Sequence, residues 1–538
     1  SLCLATYHKL LVAETFGGGE SMKVGTVYLV GAGPGDPGLL TLRGLECLQR
    51  ADLVLYDGLV GPWVLQHTRA QAVRTFRGES RAARALQQRE IIDQIIAAAR
   101  AGQTVVRLKG GDPLVFGRGG EEAAALTEAG IPFEIVPGIT AAVAAGAYAG
   151  ISLTHRQHTS AVAFITGHED PTKPDPVLDY APLARFPGTL VFYMGLHRLP
   201  QITRSLRDSG LAPETPAAVL CRVTTPAQTT LTGTLDTIAG QAAAAGIGPP
   251  SLLVLGECVR DRGPLAWYER RPLFGLSVGI PRAAEQGAEL VPQLLELGAD
   301  PVLMPVLEIA PTSDWQLVDA VLDRLSQYHW LVFTSVNGVD FLLRRLLERG
   351  GDLRALGALR LAAIGDGTAA ALARLHLRAD VVPKVFRAEA LAATLAPRVA
   401  GLNVLWARAS RGRDVLPQLL TQAGAHLDQL VVYQNRDVAE WPAELHARLA
   451  RQPLDWVCLS SPSMARGVAR LCPQWSTPHT GPAGAPPAPR FASLSPVTTA
   501  AALEVGLRIA VEAPSATWSA LFDAVAQAAP RDSDSASM

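Results

Sequence analysis

Val30-Gly31-Ala32-Gly33-Pro34-Gly35-Asp36-Pro37-Gly38 follows a short apolar run, Thr26 to Val30, and precedes leucines at helical spacing, Leu42, Leu45 and Leu48. The run predicts a buried strand, and Thr41 is placed to cap the helix that follows. Strand, glycine loop and helix make a cradle in which backbone N–H groups and a helix N-terminus face a ligand. A dinucleotide fingerprint needs glycine at the sixth position of Gly-x-Gly-x-x-Gly, where this chain has Asp36, and no phosphate-loop lysine follows. The loop therefore suits close backbone approach to a ligand and argues against both usual phosphate readings. Turns rich in Gly and Pro are common, so its meaning depends on what converges on it.

Downstream, Leu53 to Tyr56 is a second strand candidate delivering Asp57-Gly58, and Thr104 to Leu108 is a third, leading into Lys109-Gly110-Gly111-Asp112-Pro113. Gly117 to Glu122 opens a helix and Ile131 to Val136 is a fourth strand, an alternation that predicts a mostly parallel sheet covered by helices. Apolar runs at 161–166, 190–194, 217–220 and 252–255 predict a second α/β lobe. Ligands of an open parallel sheet bind beyond the carboxyl ends of its strands, so Gly31–Asp36, Asp57-Gly58 and Gly110–Asp112 should gather there. Asp57 is then either a general base or the first residue of an Asp-Gly turn. The arginines of 74–89 either bind carboxylates or form a solvated helix face. His155-x-x-His158 has no third ligand nearby in sequence, which points to a structural or substrate-contacting role and to no metal. Met194 reads by default as core.

The pattern breaks at Trp267 to Pro272, and 266–274 is expected to be a linker. Beyond it Phe333-Thr334-Ser335 is echoed by Leu459-Ser460-Ser461, and Ala363-Ile364-Gly365 with Thr368 by Ser493-Leu494-Ser495 with Thr498. Two lobes of about 125 residues fit a duplicated doubly wound unit. Residues 1–22 and 529–538 are expected to be disordered extensions, and Gly481 to Pro489 a surface loop. With 538 residues, 48% hydrophobic and 18% charged, the chain has the composition of a multidomain soluble protein. A net charge of −1 excludes an extended nucleic-acid surface. Six cysteines without a Cys-x-x-Cys pair suit reduced thiols in a cytosol and form no zinc cage. Pro137 to Thr154, the longest uncharged run, is Gly- and Ala-rich and reads as packed helix, not membrane.

Residues 24–265 resemble the uroporphyrinogen-III C-methyltransferases. The carriers are Gly31 to Pro37, Leu55-Tyr56-Asp57, Arg107 to Pro113, Phe116 to Glu122, Val136 to Ala141, Leu153 to Arg156 and Phe192 to Gly195. The resemblance implies two α/β lobes, 24–136 and 137–265, holding S-adenosylmethionine between them, and a homodimer. It places cofactor contacts at Pro34, Gly110, Gly111, Asp112, Val115, Thr140, Ala141 and Met194, and at Val223 where the family has glycine. It makes Asp57 the proton acceptor. The family's lysine falls at or beside Glu79, which turns attention to Arg77 and Arg81 as contacts for the substrate carboxylates. Residues 275–528 resemble uroporphyrinogen-III synthase through Phe333 to Gly338, Ala363-Ile364-Gly365 with Thr368, Val432-Tyr433 and Ser461-Pro462-Ser463, with Ser495 where the family has glycine. That implies substrate binding by Ser335, Thr368, Ser461 and Thr498. Tyr433 either aids loss of the substrate hydroxyl or is a core tyrosine. The expectation is a bifunctional cytoplasmic tetrapyrrole enzyme with small-molecule substrates, no metal and no membrane or nucleic-acid partner. The alternative is a methyltransferase alone, with the C-terminal half a non-catalytic binding module.

Overall fold

The computed structural model describes residues 23–75, 81–167, 178–412, 414–476 and 488–529, so the expected extension 1–22, the tail from 530 and most of the 481–489 loop lie outside it. Two compact units meet between Gly275 and Leu276.

The first unit opens with β1 (Val27–Gly31), β2 (Leu53–Asp57), β3 (Gln71–Thr75), β4 (Val105–Lys109) and β5 (Phe133–Val136), in the order β3-β2-β4-β1-β5. Every pairing is parallel. Strands β1 and β4 lie in the middle and are covered on both faces, which is why they read as nearly continuous apolar runs. Thr41 caps the helix Leu42–Arg50 by accepting the Gly44 N–H, as its position predicts. Strand β3 was not foreseen. It is a largely exposed edge strand that takes in Arg74 and Thr75 from the start of the arginine-rich stretch, and the described helix of that stretch is Arg81–Arg100.

The second sheet contains β6 (Val162–Thr166), β7 (Thr189–Tyr193), β8 (Pro216–Cys221), β9 (Thr229–Thr234) and β10 (Ser251–Leu255), ordered β6-β7-β10-β8-β9. Only β6 and β7 run parallel. Threonine-rich β9 lacks the apolar signal on which the other strands were found. The 266–274 stretch, expected as a linker, is packed onto this unit. Tyr268 is buried and its hydroxyl donates to Thr224 O (3.1 Å), while Trp267 Nε1 donates to Ala147 O (2.9 Å). Glu269 accepts from Thr230 Oγ1 (2.6 Å) and Gln228 Nε2 (3.0 Å) and pairs with Arg262.

In the second unit β11 (Ser277–Ile280) and β12 (Asp300–Leu303) come first. They are followed by β13 (Leu307–Pro311), β14 (Trp330–Phe333), β15 (Arg360–Ala363), β16 (Asn403–Ala409) and β17 (His426–Asp437), then β18 (Trp456–Leu459), β19 (Arg490–Ser493) and β20 (Ile509–Glu512). The sheets are β12-β11-β18-β19-β20 and β13-β17-β16-β14-β15. Two successive lobes were expected. Instead the chain starts one sheet, builds the other from a continuous segment, and returns to finish the first. The sequence echo survives, because β14 and β18 both lead into a serine-capped helix, at Ser335 and Ser461.

Candidate active site

The three segments expected to gather at the ends of β1, β2 and β4 do so. Gly33 N–H donates to Gly111 O (3.2 Å) and Gly111 N–H to Gly33 O (2.8 Å), zipping the two glycine loops together. A third loop closes on them. A Cβ added at Gly138 would stand 2.2 Å from Gly111 O, and one at Gly31 would stand 2.5 Å from Gly138 Cα. Asp112 staples the arrangement, its Oδ1 accepting the N–H groups of Leu114 (2.8 Å) and Val115 (3.2 Å) and its Oδ2 that of Gly138 (3.0 Å).

Asp36, the residue that breaks the dinucleotide pattern, caps Gly38 N–H (2.7 Å) and accepts from the Tyr148 hydroxyl (2.7 Å). Its own N–H donates to Thr224 Oγ1 (3.1 Å), which ties the first loop to the second lobe. Thr140 is buried, and its hydroxyl shares a bond with Tyr193 OH (2.7 Å), which also accepts the Ala142 N–H (2.9 Å) at the start of helix Ala141–Ala149. Pro34 and Gly110 line the cradle half-buried, and Val223 sits in the core of the second lobe. Six described non-glycine residues have positive φ, and five are in this unit: Phe116, Arg118, Met194, Arg222 and Thr224. Such backbone persists only where the surroundings over-determine it, and it clusters at functional sites. Met194, read by default as core, is half exposed beside Tyr193, whose ring packs 4.9 Å from Phe116.

Asp57 ends β2 next to charges carried by β4. Arg107 pairs with Asp57 and, through Nε, with Glu122 (3.1 Å), which also accepts from Lys109 Nζ (3.1 Å) and Gln88 Nε2 (3.0 Å). Lys109 lies 3.8 Å from Asp57, and Thr75 donates to it at 3.2 Å. Arg107 and Lys109 are 2% exposed and Glu122 is 1% exposed, so two cations and two carboxylates balance in a nearly dry cluster. Burial pushes the Asp57 carboxyl up, but the opposing charges of Arg107 and Lys109 outweigh it and hold the carboxyl below its ordinary range. Burial and the Arg107 charge push Lys109 down. The cluster was legible only in part, since charged residues at two alternate positions of an otherwise apolar strand demand partners. Nothing nominated Glu122 or Gln88. Arg77 and Glu79 lie outside the described residues, and of Arg81 only its backbone, opening the helix Arg81–Arg100, is described.

In the second unit, Ser335 Oγ accepts from Gly338 N–H (3.0 Å) and from the Tyr433 hydroxyl (3.0 Å), and the Tyr433 ring stacks on Phe341. Ser461 and Ser495 cap equivalent helices on the other sheet. Thr498 is buried and its hydroxyl pairs with Ser495 Oγ (3.1 Å), while Thr368 is buried in the helix following Gly365. Ser335 and Tyr433 are therefore brought together, whereas Ser461 and Thr498 belong to the other lobe. Gln286 Nε2, on the helix Ala284–Ala288 after β11, donates to Asn337 Oδ1 (3.1 Å) and joins the lobes beside Ser335. Half-buried Arg282 donates to Gln286 Oε1 (2.9 Å), a cation the sequence did not single out.

Residues 26–239 match the model of the tetrapyrrole (corrin/porphyrin) methylases and residues 288–523 that of uroporphyrinogen-III synthase HemD. A porphyrin biosynthesis protein HemD from Ruminiclostridium josui is 34% identical over 83% of this chain and 88% of its own length. The chain belongs to this family of fused tetrapyrrole methylases and uroporphyrinogen-III synthases. A siroheme synthase from Stutzerimonas stutzeri is 49% identical over 48% of this chain and 55% of its own length, so the chain spans about half of that relative. A solved uroporphyrin-III C-methyl transferase from Thermus thermophilus, complexed with S-adenyl homocysteine, is 40% identical over 44% of this chain and 99% of its own, with a TM-score of 0.38. The methylase match falls in the first unit and the synthase match in the second, which makes them the methylase unit and the synthase unit.

The charge cluster in the methylase unit sets an acid limb. A carboxyl depressed on folding contributes stability that is present above its unfolded pKa, about 3.9, and lost as pH falls through the folded value. Asp57→Asn should be less stable than the parent at pH 6, and the difference should shrink steadily below about pH 4. Thermal unfolding of both proteins across pH 2.5–7 reads this, and parallel curves would refute it.

Proposed function

We propose that the two units act in succession on one tetrapyrrole. The synthase unit closes hydroxymethylbilane with inversion of one ring, and the methylase unit methylates the resulting uroporphyrinogen III twice, giving precorrin-2. The observation that carries this reading is the presence of both units in one chain, each with its polar turns at the carboxyl ends of its strands. The domain limits we propose are 24–265 and 275–528.

The cradle fits S-adenosylmethionine, whose sulfonium would supply an electrophilic methyl group. Gly110 and Gly111 would present bare backbone to it, and Pro34, Val115, Thr140, Ala141, Met194 and Val223 are its other proposed contacts. Asp112 fixes the loops of the cradle through three backbone N–H groups and is counted among the cofactor contacts, with acceptor capacity left on Oδ2. Holding reactants in line supplies several kcal/mol of barrier reduction. A pyrrole carbon that accepts a methyl group leaves the ring system cationic until a proton departs. Asp57, kept ionised by Arg107 and Lys109, stabilises that positive charge and is the acceptor for the proton. Arg77 and Arg81 are proposed to meet the substrate carboxylates. In the synthase unit, serine-capped helix starts offer hydroxyls and N–H groups to acetate and propionate arms, and the Tyr433 hydroxyl, oriented by Ser335, faces the departing hydroxyl. Buried free thiols at Cys47, Cys221, Cys258, Cys458 and Cys472 suit a reducing, cytoplasmic setting, and no described helix is long and apolar enough to cross a membrane.

We also propose a homodimer through the methylase unit. Its support is an apolar groove of about 530 Å³ bordered by Val143, Val162, Phe164, Leu265 and Trp267, of which Val143, Leu265 and Trp267 are about half exposed.

Three outcomes follow for the intact chain. Asp57→Asn should bind S-adenosylmethionine normally in calorimetry yet lose roughly 10²–10⁴-fold in methyl transfer, the scale of a missing acid–base group; unchanged turnover defeats the assignment. With hydroxymethylbilane alone, oxidised products should be the type III porphyrin, and Tyr433→Phe should slow its formation by about fivefold or more, the worth of one hydrogen bond. Type I porphyrin alone from the folded parent would leave the methylase acting by itself. Sedimentation should give twice the chain mass, and Val143→Glu should return it to one.

A further inference from the structure

His155, His158 and Asp261 meet at a place in the methylase unit that has no part in the cradle. One imidazole nitrogen from each histidine and one carboxylate oxygen lie within 4.8 Å of one another. The histidines come from a tight turn in which His155 N–H donates to Thr159 O (2.8 Å) and Thr159 N–H to His155 O (2.9 Å). The turn stacks their rings 4.5 Å apart and 15° from parallel. Asp261 arrives from a different segment, the end of the short helix Glu257–Asp261, about a hundred residues later. Its Oδ2 is fully buried and has no hydrogen-bond partner.

A buried carboxylate oxygen without a partner is costly and calls for an explanation. Two imidazole nitrogens stand within 4.8 Å of an oxygen of the same carboxylate, and the three groups together point to something that belongs between them. Gln157 N–H donates to His155 Nδ1 (3.2 Å), a single contact that an ion at His155 displaces, because a neutral imidazole has one lone pair and ligation uses it. The spacing needs modest closure, because donors about 2.0–2.1 Å from a tetrahedral ion stand roughly 3.3 Å apart. Half-exposed His155 and exposed His158 have the freedom to make it.

We propose that His155, His158 and Asp261 bind one divalent transition ion of the zinc, cobalt or nickel class, with the fourth position open to water. Two nitrogens and one carboxylate suit such ions, whereas magnesium and calcium favour all-oxygen sets. The ion fastens the turn 155–159 to the segment 257–261, just before the chain folds back through Trp267 and Tyr268. Sequence spacing alone failed to find the site because its third ligand is remote in the chain.

The test uses the intact, chelator-stripped chain. Zinc calorimetry should show one tight equivalent, and cobalt should give the visible absorption of a four-coordinate ion. His158→Ala, at an exposed position that leaves the fold intact, and Asp261→Asn should each weaken that equivalent by at least about tenfold and abolish the cobalt band. Zinc should raise the thermal midpoint of the parent and leave that of His158→Ala unchanged. Absence of a stoichiometric equivalent, or equal affinity in parent and His158→Ala, overturns the proposal.

Discussion

Three stretches of backbone approach so closely at Gly31, Gly111 and Gly138 that no side chain fits between them. Everything chemical in the methylase unit hangs on that contact. It brings the end of β1 against the end of β4, sets the first residues after β5 beside both, and lets Asp112 tie its own loop to Gly138 with one carboxylate. Because the loops meet through backbone, side chains are kept out of the seam between them. Five residues forced into positive φ around it show where the surrounding packing has overruled local preference.

The two units handle charge in opposite ways. In the methylase unit Arg107 and Lys109 are taken out of water and balanced against Asp57 and Glu122, an arrangement that breaks badly if one member is removed, since an unpaired buried charge costs about 3–5 kcal/mol. It keeps one carboxylate ionised at the edge of a nearly dry cluster. In the synthase unit the corresponding strand ends carry hydroxyls: Ser335, Ser461 and Ser495 cap their helices, and Tyr433 leans on the first of them. A substrate that cyclises readily needs shape control more than strong acids and bases, and capped helix starts supply that with few charges.

Much of this was readable in the chain. The buried parallel strands announced themselves as apolar runs, Thr41 as a cap, and the gathering of Gly31–Asp36, Asp57 and Gly110–Asp112 followed from the geometry of parallel sheets. What escaped did so for physical reasons. Strands β3 and β9 are polar and exposed, so no hydrophobic period marks them. The stretch 266–274 reads as a linker because its aromatic residues are isolated in sequence, yet Tyr268 is buried through partners at Tyr148 and Thr224 far upstream. Glu122, Gln88 and Asp261 act through neighbours remote in the chain, and one-dimensional spacing carries no trace of them. The order of the synthase lobes was misjudged because repeats reveal equivalence but not which strand a returning chain will join.

That return has a consequence for how the chain is made. Ser277 N–H donates to Asp455 Oδ2 (2.7 Å) across a separation of 178 residues, and β11 pairs with β18 alongside. On a ribosome the inner sheet, ending with β17 at Asp437, is completed only shortly before β18 (Trp456–Leu459) is made. At roughly 5–20 residues per second, β11 and β12 wait about 8–30 seconds as a bare two-stranded ribbon with both edges open. Such edges invite pairing with other chains. The nested topology thus leaves a pair of open strand edges for as long as the inner lobe takes to make, and keeping them from other chains is a demand that this order of synthesis imposes.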